Sequence, residues 1–263
     1  MSNAGRHGYV EVTETPGVKI PREQLYRLYS RYKFAADFCK DKDVLEVACG
    51  AGQGLGYLAK TAKRVVGGDI DENNLKFARE AYSGRPNIEL RVLDAQQLPF
   101  EDNSFDVVIL YEAIYYLNKP EDFIKESLRV LRKNGIIMIC TVNKDWADFN
   151  PSPYSYKYFS APELSGMLQG GGFSDIKVYG ECPVDDGGAK DKIISFIKRA
   201  AVSLHLMPKT MKGKEFLKRI FFGKLMPMPA EVRDGMAEYI APVPISAALP
   251  NKGYKVLFAV GRK

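Results

Sequence analysis

The stretch Val44 to Gly56, VLEVACGAGQGLG, decides the fold. Val44, Leu45 and Val47 make a short apolar strand that carries one carboxylate, Glu46. Glycines then stand at positions 50, 52, 54 and 56, and a helical stretch begins at Leu55. A strand that ends in glycines and opens a helix is a site for a polar, nucleotide-like ligand. Glycine lets the backbone come close, and the helix start presents free N–H donors.

The spacing narrows the ligand. A dinucleotide loop reads G-x-G-x-x-G. Three residues after Gly52 stands Leu55, and three after Gly54 stands Tyr57, so that pattern fails in both registers. Glu46 adds a second argument. A carboxylate in the strand repels a pyrophosphate and attracts an amino group or a sulfonium.

Outward from the loop, strands and helices alternate. Residues 21–40 read as a helix, with Pro21 in the first turn and Leu25, Leu28, Tyr32 and Ala36 at helical spacing. After the loop come a helix to Lys63, a strand from Arg64 to Gly68, a helix over 71–82 and a strand over 87–93. The run Phe105 to Leu110 is nearly all apolar, as in a strand buried on both faces. A helix from Pro120 to about Arg132, stopped by Asn134-Gly135, leads to a strand over 136–142. A helix over 162–172 and strands over 174–180 and 254–261 follow. Such alternation predicts a doubly wound α/β sheet.

The run E-x-A-x-G-x-G-x-G from Glu46 to Gly54 resembles the first motif of class I S-adenosylmethionine-dependent methyltransferases, with Ala48 in place of the first glycine. V-V-G-G-D-I-D, ending at Asp71, resembles the second motif, and L-D-A-Q-Q-L-P-F-E-D-N-S-F-D-V-V the third and fourth. The resemblance covers roughly residues 25–180 and the final strand. It implies a seven-stranded, mainly parallel Rossmann-like sheet and S-adenosylmethionine as cofactor. It further implies that Asp69 binds both ribose hydroxyls with Ile70 beside it. Asp94 would accept from the adenine amino group, and the Ala95 N–H would face the ring. Glu46, Ala48, Gly50 and Gly52 would be further cofactor-binding residues. Arg31, in an Arg-Tyr pair with Tyr32, would meet the methionine carboxylate, and Tyr111 would lie beside the methyl group.

Methyl transfer is an in-line displacement, so orientation supplies much of the rate, and a base is useful only for a hydroxyl or ammonium acceptor. Glu112, Tyr115 and Tyr116 are the candidates for that role. Where many relatives have Glu-His after this strand, this chain has Tyr115-Tyr116. The loop from Asn150 to Phe159 is rich in aromatics; it either lines the acceptor pocket or packs as core. The sequence Leu110-Tyr111-Glu112-Ala113 lacks the Pro-Pro-aromatic end of DNA amino-methyltransferases, so no DNA acceptor is expected. A small molecule (a sugar, glycan precursor or natural product, O- or N-methylated) is the expected acceptor. The rival classes are a non-catalytic cofactor-binding partner protein and a methyltransferase of nucleic acid.

The chain has 263 residues and a formal net charge of +6. That charge is local: between Gly187 and Met226 ten Lys/Arg oppose Asp191 and Glu215, leaving the rest slightly acidic. Helical stripes such as Ile193, Ile197, Ala201 and Leu204 suggest a basic helical insertion or lid over 182–251. The core then spans 21–181 and 252–263, behind an arm over 1–20. Three roles for the basic segment stay open: a solvated lid face, attraction of an anionic acceptor, and peripheral contact of 187–226 with an anionic membrane. Two histidines and four cysteines without a CxxC pair argue against a metal site. The polar N-terminus has no apolar signal core, and a cytoplasmic location is expected.

Overall fold

The computed structural model describes residues 13, 15–184 and 225–263. The strands are β1 (Lys19–Ile20), β2 (Asp43–Val47), β3 (Arg64–Asp69), β4 (Ile88–Val92), β5 (Phe105–Tyr111), β6 (Leu131–Val142), β7 (Ser174–Pro183), β8 (Met226–Pro227), β9 (Val243–Ile245) and β10 (Tyr254–Arg262). The helices are α1 (Arg22–Cys39), α2 (Leu55–Leu58), α3 (Glu72–Tyr82), α4 (Pro120–Val130) and α5 (Ala161–Gly170).

One sheet runs β4-β3-β2-β5-β6-β10-β7-β9. β2 to β6 pair in parallel, while β10 is antiparallel to both β6 and β7. Seven of these strands are those the sequence predicts; β9 adds a short eighth at the edge. Every residue of β2 is buried, and the strand alternates between two cores. Val44 packs with Leu28, Leu55 and Leu75 on the face covered by α1, α2 and α3. Leu45 and Val47 pack with Phe123, Leu164 and Leu168 of α4 and α5 on the other. Helices on both faces of a parallel sheet make the doubly wound architecture.

The chain moves from β2 outward to β3 and β4, then returns to β5 on the other side. The order therefore reverses between β2 and β5. In open α/β sheets ligands bind at that crevice, at the carboxyl ends of the strands.

Element ends differ locally from the sequence reading. The helix expected up to Lys63 holds regular form only over Leu55–Leu58. α4 stops at Val130 because Leu131 is already extended and pairs with Phe105 of β5. β7 continues three residues past Gly180, where Glu181 and Pro183 pair with Val256 and Tyr254.

Most of the expected basic insertion, 185–224, lies outside the described residues. Its last part, 225–251, is irregular chain with turns and carries only the short strands β8 and β9, with no helix among these described residues. β8 pairs with β1 of the arm, and the segment beyond docks beside the glycine loop. There Val232 N–H donates to Gln53 C=O, Arg85 grips Glu231 with two bonds, and Tyr57 donates to Asp234.

Candidate cofactor and acceptor site

The glycine loop follows directly from its backbone. Gly50 and Gly52 adopt φ of +58° and +75°, in the left-handed region that glycine tolerates best. Ala48, where the motif ordinarily has glycine, is also left-handed at φ +54°. A Cβ on Gly52 would sit 2.7 Å from Cβ of Ala78, so the loop is pressed against α3. A Cβ on Gly54 would fall inside the Tyr32 ring, 1.8 Å from Cε1. That glycine serves the packing of α1 on the loop.

Asp69 ends β3 and is buried. Its Oδ2 accepts the Gly50 N–H at 2.9 Å, and Oδ1 accepts the Asp71 N–H at 2.9 Å. Burial raises its pKa, and the two backbone donors and Asn74 pull it down. Asn74 Nδ2 reaches both Asp69 Oδ1 and Thr13 Oγ1, which brings the arm to the rim of this acid. Ile70, next in sequence, is half exposed although apolar. Leu93 N–H donates to the Asp69 carbonyl at 3.1 Å, and this places Asp94 just past β4 beside the same acid. Asp94 Oδ1 caps its own turn through the Gln96 N–H at 2.8 Å, and Ala95 is buried.

A second group lies between α1 and the sheet. Glu46 is fully buried; its Oε1 accepts from the Tyr32 hydroxyl at 2.6 Å, and its Oε2 has no partner. Burial lifts its pKa to about 7, against the pull of the Tyr32 hydrogen bond and of Arg31. The Tyr111 ring packs edge-on against Tyr32 and Phe258, and its buried hydroxyl makes no hydrogen bond. Arg31 is buried in the same layer.

Glu112, at the turn after β5, has φ +52°. A carboxylate side chain held left-handed costs on the order of 1–3 kcal/mol and marks a place where surrounding contacts dictate the backbone. Two contacts do so here: Arg27 donates to Oε1 at 2.9 Å and the Tyr115 hydroxyl donates to Oε2 at 3.1 Å. Tyr115 in turn stacks on Tyr158, centroids 4.7 Å apart, and its carbonyl accepts the Tyr156 N–H. Tyr116 is half-buried against Tyr115. The aromatic loop therefore divides. Tyr158 and Phe159 pack inward, while Tyr154 and Tyr156 are exposed.

The predicted residues thus fall into two adjoining groups at the carboxyl edge: Gly50, Gly52, Asp69, Ile70, Asp94 and Ala95 around β3 and β4, and Arg31, Glu46, Tyr111, Glu112, Tyr115 and Tyr116 around β2 and β5. The sequence reading missed Arg27, Thr13 and Glu181. Arg27 stands one helical turn before Arg31, a spacing that could have drawn notice. Glu181 lies past Gly180, where the sequence pattern ends the strand but β7 continues to Pro183.

A left-handed glycine loop, an acid at the end of the next strand and a second carboxylate under the loop define a nucleotide-cofactor site of the Rossmann-like type. The methyltransferase domain family matches residues 45–139. A "Probable S-adenosylmethionine-dependent methyltransferase" of Mycobacterium tuberculosis is 33% identical over 57% of this chain and 55% of its own length. A "Probable phthiotriol/phenolphthiotriol dimycocerosates methyltransferase 2" of Mycobacterium ulcerans is 36% identical over 59% of this chain and 60% of its own. The chain thus spans little more than half the length of these curated relatives. A crystal structure of a SAM-dependent methyltransferase from Thermotoga maritima shares the fold with a TM-score of 0.58 at 16% identity, over 91% of this chain and 92% of that one. Residues 45–139 thus match a methyltransferase domain, and the relatives that share it are named as S-adenosylmethionine-dependent, which makes S-adenosylmethionine the cofactor to test against this site.

The residues present fit that cofactor. Glu46 Oε2 is a buried acceptor without a donor, as an ammonium or sulfonium neighbour requires. Asp69 takes two backbone donors and a longer 3.3 Å bond from Asn74, which leaves a lone pair on Oδ2 for one hydroxyl and makes the Asn74 bond the one a second hydroxyl would displace.

Proposed function

We propose that this chain transfers a methyl group from S-adenosylmethionine to a small-molecule acceptor, at oxygen or nitrogen. The observation that carries the reading is Asp69: an acid at the end of β3 whose carboxylate is fixed by the N–H groups of Gly50 and Asp71, poised to take ribose hydroxyls. Ile70 offers an apolar face to the adenine ring, with Asp94 and Ala95 at its edge. Arg31, Glu46 and Tyr111 hold the methionine end. When bound, the cofactor supplies an electrophilic methyl group on a sulfonium.

The chain's own part is placement and exclusion of water. The buried layer of Tyr32, Tyr111 and Phe258 keeps the site dry, which favours a step that disperses positive charge. Glu112, fixed by Arg27 and Tyr115, faces the acceptor side with Tyr115 and Tyr116. The relative named for phthiotriol and phenolphthiotriol dimycocerosates supports an acceptor with a large apolar part. The exposed Tyr154 and Tyr156 suit such a surface. Four buried free cysteines fit a reducing, cytoplasmic setting. Among the described residues no helix is long and apolar enough to cross a membrane.

The test is product formation with methyl-labelled cofactor and a panel of alcohols, phenols, amines and lipid extracts. Labelled product is expected. Cofactor binding without transfer to any acceptor would instead make the chain a non-catalytic partner, and absence of binding would end the reading.

A further inference from the structure

Neither the cofactor nor the acceptor reading uses Glu181, near the end of β7. It pairs across the sheet with Val256, which pairs with Val142. Cross-strand partners share a face. The row just behind it is Tyr111, Cys140, Phe258 and Tyr179, all in the core under α1. Glu181 therefore stands on the α1 side of the sheet, in the row nearest the carboxyl edge, where the glycine loop and Glu112 also lie.

Its state there is unusual. The residue is 3% exposed, and neither Oε1 nor Oε2 has a hydrogen-bond partner. Buried carboxylates are nearly always satisfied. The Arg27 and Arg31 guanidiniums on α1 and the Glu112 carboxylate act on it through space, and Ser30 faces it short of hydrogen-bond geometry. Glu112 differs: both its oxygens already take donors, from Arg27 and from Tyr115. Of the two carboxylates, Glu181 is the one with no donor on either oxygen.

We propose that Glu181 binds the acceptor's hydroxyl group and takes its proton during transfer. The inference rests on the methyl-transfer reading and narrows the acceptor to an alcohol or phenol. The hydroxyl oxygen bonds to the methyl carbon, the carbon–sulfur bond breaks with its electron pair left on sulfur, and the hydroxyl proton passes to the Glu181 carboxylate. The products are a methyl ether and S-adenosylhomocysteine.

The surroundings suit that task. Burial lifts Glu181 to about 7, while Ser30, Arg31 and Arg27 hold it from rising further. A base is most effective when its pKa lies near the working pH. The other titratable groups facing it are Tyr26 on α1, Cys140 on β6, Cys182 beside it, Tyr239 on the returning segment, and Glu112. Burial pushes both thiols and both phenols up, so they stay neutral at physiological pH.

The test compares wild type with Glu181→Gln, which keeps the volume. S-adenosylhomocysteine affinity by calorimetry should agree within about twofold; if wild type itself fails to bind, the cofactor reading falls and not this one. In the ligand-free protein the variant should melt higher at about pH 8 and alike at about pH 5, because an unpaired buried carboxylate destabilises only when charged. A lower melting temperature at both would overturn the proposal, since it would make Glu181 a structural counter-ion of α1. With labelled cofactor and phenols and alcohols paired with their own methyl ethers, wild type should methylate a hydroxyl and leave its ether untouched. The variant should lose about 100-fold or more in kcat, along with the acid limb of the kcat/KM profile. Three results would overturn the proposal: transfer confined to amines, thiols or carbon; no hydroxyl methylated by protein that binds S-adenosylhomocysteine; or a variant with wild-type kcat and pH profile.

Discussion

The Tyr32 hydroxyl donates a 2.6 Å hydrogen bond to Glu46 Oε1, fixing α1 to the strand that leads into the glycine loop. Both partners are buried, and the contact exists only because residue 54 has no side chain. The loop thus answers to two demands, approach of a ligand at Gly50 and Gly52 and approach of Tyr32 at Gly54.

Gly54→Ala separates those demands. The new methyl group would overlap the Tyr32 ring and must displace it from Glu46. Overpacking of this kind costs about 1–3 kcal/mol. Denaturant melts should show that loss, with weaker cofactor binding beside it. Unchanged stability would mean that Tyr32 can leave Glu46 freely.

Glu46 makes stability depend on pH. Its pKa is about 7 in the folded chain against an ordinary 4.5. A raised folded pKa means that the contribution is fully present below the unfolded value and is lost as pH rises through about 7. The limit is on the order of 3 kcal/mol. Glu46→Gln keeps an acceptor for Tyr32 and removes the titration. It should therefore stabilise the ligand-free protein at about pH 8 and leave it unchanged at about pH 5, while weakening binding of the cationic cofactor. Equal effects at the two pH values would contradict this account.

Ala48 occupies a left-handed position at φ +54°. Such a conformation costs a non-glycine residue about 1–2 kcal/mol. Glycine would relieve it, offset in part by its greater freedom when unfolded, about 0.4–1 kcal/mol. Ala48→Gly should raise stability by up to about 1 kcal/mol, and Ala48→Val should lower it, both read from thermal melts. A loss for glycine would show that the turn is not strained.

The legible parts of the sequence were those fixed by local chemistry. Glycine spacing, Glu46, Asp69 and Asp94 could be placed because backbone conformation and strand ends dictate them. The seven strands followed from apolar runs. What escaped depends on long-range pairing. Glu181 belongs to β7 because Val256 of a distant strand extends the ladder past Gly180. β9 is three residues long and exists only against β7. Arg27 gains meaning from Glu112, 85 positions away. The aromatic loop read ambiguously because its tyrosines do two things: Tyr158 stacks under Tyr115 while Tyr154 and Tyr156 face outward.

Asp69, at the carboxyl end of β3 and beside the crevice between β2 and β5, is the residue proposed to hold the ribose of S-adenosylmethionine. Titration calorimetry with S-adenosylhomocysteine on wild type and Asp69→Ala tests it most directly. Wild type should bind one equivalent per chain. The variant, losing two charge-assisted hydrogen bonds at roughly 1.5–3 kcal/mol each, should bind at least about tenfold more weakly. Equal affinity in the two proteins would remove Asp69 from the site, and no binding by wild type would contradict the account as a whole.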